Sequence, residues 1–166
     1  MQQLDIITPD VGVGILSGGP LRGTYKILQL HFHWGNDDTK GSEHTINGRH
    51  FPIEMHIVHS KEGVGKPLET PAGLAVLGFM FEVDQRNNPA LAPITDALKN
   101  VVTYQSKIPF SGSPFSIRDL ISPVAIMSDF AYYSGSLTTP PCSEVVEWIN
   151  FLNPLKISRR QLAKFR

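Results

Sequence analysis

From Tyr25 to Trp34 the side chains alternate in character one by one. A period of two marks a strand with one greasy face. Leu28, Leu30, Phe32 and Trp34 are expected on that face. Ile27, Gln29, His31 and His33 are expected on the other, so Gln29 and two histidines stand in a row. A second region runs from Glu43 to Ile46, through Asn47-Gly48, and on from Arg49 to His59. Asn-Gly between strand-like runs signals a two-residue hairpin, because a type I′ turn needs positive φ at both central residues. In that register Ile46 faces Arg49 and Glu43 faces Pro52. Parity then gathers Glu43, Glu54, His56 and Val58 on one face.

The rest of the chain reads more simply. Residues 4–16 are strand material broken by Gly12 and Gly14, and Ser17 to Pro20 is a turn. Leu74 to Val83 is nearly all apolar, as in a strand buried on both faces. Leu91, Ile94, Leu98 and Val101 or Val102 recur at helical spacing and predict a short helix over 91–102. Ser116 to Leu120 reads as a helical turn, Tyr132 to Pro141 as a loop, and Val145 to Phe151 as a strand. Ser158 is placed to cap a last short helix ending near Arg166.

Composition narrows the classes of function. The chain has 166 residues, one domain's worth, with 41% hydrophobic and 18% charged positions. Fifteen basic residues balance fifteen acidic ones. Without a basic excess, neither nucleic acid nor an anionic membrane is the expected partner. No apolar run approaches the roughly 18 residues that span a bilayer. The start lacks the basic and apolar segments of a secretory leader. Cys142 is the single cysteine, which excludes an internal disulfide and a cysteine-based zinc ribbon. All six histidines fall between His31 and His59.

That cluster holds the candidate chemistry. His31 and His33, two apart on a strand, aim their imidazoles the same way. His56 lies on another strand, with Glu54 two residues before it on the same face. Three neutral imidazoles with one open position make the catalytic zinc arrangement. Glu54 can orient His56 by accepting its free ring N–H, and Gln29 can do the same for a neighbouring ligand. His44 reads as a buried hydrogen-bonding group. His50 and His59 read as surface or loop residues.

Several segments resemble the α-class carbonic anhydrases. They are Gln29-Leu30-His31-Phe32-His33-Trp34-Gly35, Gly41-Ser42-Glu43-His44-Thr45, Glu54-Met55-His56-Ile57-Val58-His59, Gly135 to Cys142 (Gly-Ser-Leu-Thr-Thr-Pro-Pro-Cys), and Trp148. The match is collinear from about Gly18 to Arg166. It implies an α/β, β-dominated fold: a large, twisted, mostly antiparallel sheet with short peripheral helices. It implies that His31, His33 and His56 bind Zn2+, with Gln29, Glu54 and His44 supporting them. It implies that Thr138 donates its hydroxyl to Glu43, so that it can only accept from zinc-bound hydroxide. Thr139 would line the same wall, and Val58, Val76, Leu137, Val146 and Trp148 would form an apolar pocket for CO2. The implied reaction is attack of zinc-bound hydroxide on CO2, giving bicarbonate and a proton, by a monomer whose partners are small molecules.

Beside a full α-class domain, residues 1–166 read as a partial one, lacking an N-terminal part with the proton-shuttling histidine and a C-terminal part. In extracellular members of that class a cysteine after Thr-Thr-Pro-Pro commonly pairs with one near the N-terminus, so Cys142 suggests a secreted parent protein, with a cytoplasmic one as the alternative. Two other readings stand beside the enzyme: a carbonic-anhydrase-related binding domain, and an inactive truncated fragment.

Overall fold

The structure, a computed structural model, describes residues 2–7, 14–100, 116–122 and 128–166. Seven strands form one sheet: β1 (Gln2–Ile7), β2 (Ile15–Leu16), β3 (Tyr25–Trp34), β4 (Ile53–Lys61), β5 (Leu74–Asp84), β6 (Phe130–Gly135) and β7 (Val146–Ser158). Their order is β1-β3-β4-β5-β7-β6, with β2 also beside β3. The β5–β7 pair is parallel and every other pair is antiparallel. The short helices are α1 (Ala92–Ala97), α2 (Ile117–Ile121) and α3 (Arg159–Leu162). The sheet-dominated fold class is the one expected.

Alternation along β4 and β5 splits the buried side chains between two faces. Leu30, Phe32, Met55, Ile57, Phe79 and Phe151 build the large core, closed by Leu91 and Ile94 at α1, Leu120 of α2 and Leu162 of α3. Val58, Leu74, Val76, Val145, Val146 and Trp148 form a smaller cluster on the opposite face. That second face also bears His31, His33 and His56.

Local structure agrees with the sequence pattern where short-range chemistry decides it. Asn47 and Gly48 have φ of 52° and 76°. Ile46 and Arg49 exchange backbone hydrogen bonds of 3.1 and 3.0 Å across them, the two-residue turn expected. Leu91 and Ile94 are buried and Leu98 packs on the core, although the segment opens and closes with 3₁₀ turns. Val101 and Val102 lie outside the described residues, as do Gly12 and residues 8–13 generally. Ser116 caps α2. Ser158 caps α3 in a reciprocal pair with Gln161, but the helix ends at Leu162, short of Arg166.

Four expectations change. The β3–β4 register shifts between Ile27 and Gln29, so Leu28 is an extra residue in a bulge. Ile27 therefore packs against the core with Tyr25, while Leu28 is 39% exposed on the histidine side. The hairpin register also slips beyond its turn. Ser42 donates its N–H to the Phe51 carbonyl at 2.8 Å, so Glu43 does not face Pro52, and β4 starts only at Ile53. Tyr132 to Gly135 belong to strand β6 rather than to a loop. Aromatic residues favour strands, and Tyr133 stacks on its cross-strand partner Trp148. β7 itself runs on to Ser158.

The fourth change is His59, which is buried at 5% exposure on the core face rather than at the surface. Its Nδ1–H donates to the Ile57 carbonyl at 3.0 Å. Burial pushes its pKa down to about 4 against the raising effect of backbone hydrogen bonds. The unfolded chain then binds the extra proton below about pH 6.5, so folding loses stability as pH falls toward 4. Between pH 7 and pH 5 this site alone should cost about 2 kcal/mol. Urea melts of the wild type and of His59→Gln at both pH values check it; equal pH dependence in the two would refute it.

Candidate metal centre

Strand pairing assembles the site. In the β3–β4 register His31 faces His56 and His33 faces Glu54. His31, His33 and His56 are all buried, and their nearest ring nitrogens lie within 4.8 Å of one another. His31 Nε2 and His56 Nδ1 are 3.0 Å apart. Burial, reinforced by the neighbouring imidazoles, lowers the pKa of His31 to about 2 and of His33 to about 4. Neutral rings leave lone pairs to offer a metal.

Outer hydrogen bonds select the offering nitrogen on two of the rings. His31 Nδ1–H donates to Gln29 Oε1 at 2.9 Å, which leaves Nε2 free. His56 Nε2–H donates to Glu54 Oε1 at 2.6 Å, which leaves Nδ1 free. Glu54 is wholly buried. Its Oε1 also accepts from His44 Nδ1–H at 2.6 Å, and its Oε2 accepts the backbone N–H groups of Glu43 and His44 at 2.8 and 2.9 Å. Burial alone would raise the Glu54 pKa, but the hydrogen bonds from His44 and His56 prevail and hold it below the usual carboxylate range.

Two buried atoms at the centre have no hydrogen-bond partner: His33 Nε2 and Glu43 Oε2. They are 3.4 Å apart, and the same Glu43 oxygen is 3.9 Å from His56 Nδ1. Buried polar atoms rarely stay unpaired without a reason. A bound metal ion supplies one, so the donor set fits zinc on this structure's own terms.

A cavity of about 320 Å³ opens beside the three rings. Thr138, Thr139 and Gln29 border it on the polar side, and Val58, Val76, Leu137 and Trp148 on the apolar side. Val146, expected in the pocket, packs in one apolar cluster with Val58, Val76 and Trp148 but does not itself border the cavity. No hydrogen bond between Thr138 and Glu43 is formed here, and Glu43 Oε2 is unpaired.

Sequence reading missed Leu74 and the rim residues Leu28, Pro67 and Leu68. It also missed Tyr133, whose hydroxyl lies 2.6 Å from His44 Nε2. Only the β6–β7 register could have revealed Tyr133. Gly78, the strand partner of His56, was missed as well. A Cβ there would lie 2.0 Å from Asn150 Oδ1 and 3.5 Å from Glu54 Oε1. Gly78→Ala should therefore destabilise the chain by roughly 1–3 kcal/mol through overpacking. A thermal melt unchanged from wild type would refute that.

Comparison with known proteins agrees with this geometry. A profile of the eukaryotic-type carbonic anhydrase family matches residues 8–166. The chain is 42% identical over 156 residues to carbonic anhydrase 7 of Mus musculus, covering 92% of this chain and 57% of that protein. It is 40% identical over 154 residues to carbonic anhydrase 4 of Mus musculus, covering 93% and 50%. Against carbonic anhydrase 1 of Monodelphis domestica it is 40% identical over 156 residues, covering 92% and 57%. The chain thus spans between 50% and 57% of the length of these relatives. With a profile match across nearly all of its residues and that level of identity, the chain belongs to the eukaryotic-type carbonic anhydrase family.

Proposed function

We propose that residues 1–166 form part of a carbonic anhydrase domain that holds zinc and interconverts CO2 and water with bicarbonate and a proton. One observation supports this most: three convergent imidazoles, two of them oriented by outer acceptors, beside an apolar wall. His31 and His33 would bind through Nε2 and His56 through Nδ1. Zinc bound there supplies Lewis acidity that ionises a water near neutral pH.

The remaining roles fall to this chain's own side chains. Val58, Val76, Leu137 and Trp148 offer CO2 a surface without charge and keep water off that side. Glu43 Oε2 is a free acceptor for the Thr138 hydroxyl. Once that proton is committed, Thr138 can only accept from a donor in the cavity, which orients the attacking oxygen. Thr139 borders the same wall and faces the product. All three ligands come from one chain, so a monomer suffices. No helix among the described residues is long and apolar enough to cross a membrane. An extracellular parent protein belongs to the same proposal and rests on Cys142, which is exposed and unbonded.

A second reading, an inactive fragment, draws on the edge of the sheet. Among the described residues β6 pairs on one side only, and Phe130, Tyr132 and Tyr133 are each about 40% exposed. Unpaired edges with apolar side chains invite aggregation.

Zinc analysis with stopped-flow CO2 hydration separates these readings. One zinc per chain and hydration blocked by an aromatic sulfonamide are expected. His31→Ala should lose both the metal and the rate. Thr138→Ala should keep the metal and lose about 10²-fold in rate, the scale for one removed hydrogen-bonding group at a reacting centre. Added imidazole should speed turnover, since among the described residues no histidine beyond the three lines the cavity. Zinc without hydration would leave a binding domain, and aggregation without zinc would favour the fragment.

A further inference from the structure

Pro67 and Leu68, at the rim of the cavity, come from the connection between β4 and β5. Leu68 is 56% exposed, so its position is set by the backbone beneath it rather than by packing. That backbone is wound tightly. Pro67–Glu69 is a 3₁₀ turn, and the Thr70 hydroxyl donates to the Lys66 carbonyl at 2.8 Å. The Gly73 N–H then donates to the Thr70 carbonyl at 2.9 Å, closing a second turn. A Cβ at Gly73 would lie 2.2 Å from the Pro67 carbonyl oxygen, so the second turn packs directly on the rim residue.

The second turn has a weak point. Its third residue, Ala72, has a φ of 53°. A turn with Pro at its second position and positive φ at its third favours Gly there, because a Cβ disfavours the left-handed region. Ala72 needs a hold from outside the turn. Tyr25 supplies one: its O–H donates to the Ala72 carbonyl at 2.9 Å. Tyr25 is the first residue of β3, with its ring buried in the large core and its backbone paired to Lys61 on one side and Leu16 on the other. The donor is therefore fixed, and the turn is tied to it.

We propose that Tyr25 is a positioning residue for the cavity rim: through Ala72 its O–H fixes Pro67 and Leu68, and so sets which apolar groups the cavity accepts beside the metal. This rests on reading the cavity as the mouth of a zinc site. Without the O–H, Ala72 is free to leave its left-handed conformation, the turn shifts, and the rim moves with it. The metal centre is built on β3 and β4 and keeps its geometry.

The test compares two probes on the zinc-loaded 166-residue chain by titration calorimetry. Cyanate is a small anion that reaches the metal and its nearest walls. The tail of para-butylbenzenesulfonamide extends toward the rim. Tyr25→Phe keeps the ring in the core and removes the O–H. It should bind the sulfonamide about tenfold more weakly, the scale of one lost hydrogen bond, and bind cyanate as the wild type does. Leu68→Ala should also weaken the sulfonamide, and adding Tyr25→Phe to it should weaken it little further, because the rim contact is already gone. Ala72→Val strikes the same link from the other end, with a β-branched side chain at positive φ. It should reproduce the split between the probes, and it decides the matter if Tyr25→Phe does not fold.

Equal weakening of both probes in Tyr25→Phe would reduce Tyr25 to a structural role and overturn the proposal. Full sulfonamide affinity in Tyr25→Phe or in Ala72→Val would overturn it too, as would additive losses in the double variant. Metal analysis of the wild type separates this failure from the other. A wild-type chain that takes up no zinc overturns the metal-centre reading, and the role of Tyr25 falls with it. Zinc bound without the split between the probes overturns the role of Tyr25 alone.

Discussion

The Glu54 carboxylate lies wholly inside the protein and stays ionised because four N–H groups point at it. An unmatched carboxylate at that depth would cost several kcal/mol. Two of the donors are imidazoles and two are consecutive backbone amides, those of Glu43 and His44. Those amides are available because the chain leaves the hairpin ladder after the Ile46–Arg49 pair. The slipped register is therefore part of the site: it turns residues 43 and 44 toward β4, where backbone N–H groups cradle the anion. The same turn sets the Glu43 side chain beside His33 and His56.

The sheet divides the remaining work between its faces. One face is covered by the helical segments and holds the large core, which sets the positions of the strands. The other carries only a small apolar cluster around Val76 and Trp148. That smaller cluster leaves room for a cavity, and the histidines stand at its floor. Val146 and Trp148 sit on the same strand two residues apart, yet only Trp148 reaches the cavity.

The two halves of the histidine cluster were legible in the sequence because each depends on parity within its own strand, while the β3–β4 pairing brings them together. His31 and His33 share a face, as do Glu54 and His56, wherever those segments are extended. The turn at Asn47-Gly48 and the cap at Ser158 were legible for a similar reason, since each is settled by a few neighbouring residues. What depends on an inserted residue or on distant pairing was not. The bulge at Leu28 reverses the faces of Ile27 and Leu28 without any local mark such as glycine. His59 follows the parity of β4 into the core, where its polar partners are the backbone groups of Ile57 and Ala75. Tyr133 looked like loop because Ser134, Gly135 and Ser136 follow it; pairing with β7, 13 residues further on, makes it strand.

The outer acceptors of His31 and His56 differ in charge, and that difference has chemical weight. Gln29 offers His31 a neutral amide oxygen, while Glu54 offers His56 an anion. A carboxylate partner pulls harder on the ring proton and makes the opposite nitrogen the better electron donor. A metal held there would find His56 the stronger donor of the two. Two carboxylates in these positions would shift more negative charge toward the metal and blunt its acidity. Two amides would leave the His56 ring less firmly held. Under the proposed zinc reading, one of each would keep a rigid site close to the charge of the bare cation, the condition for ionising water near neutral pH.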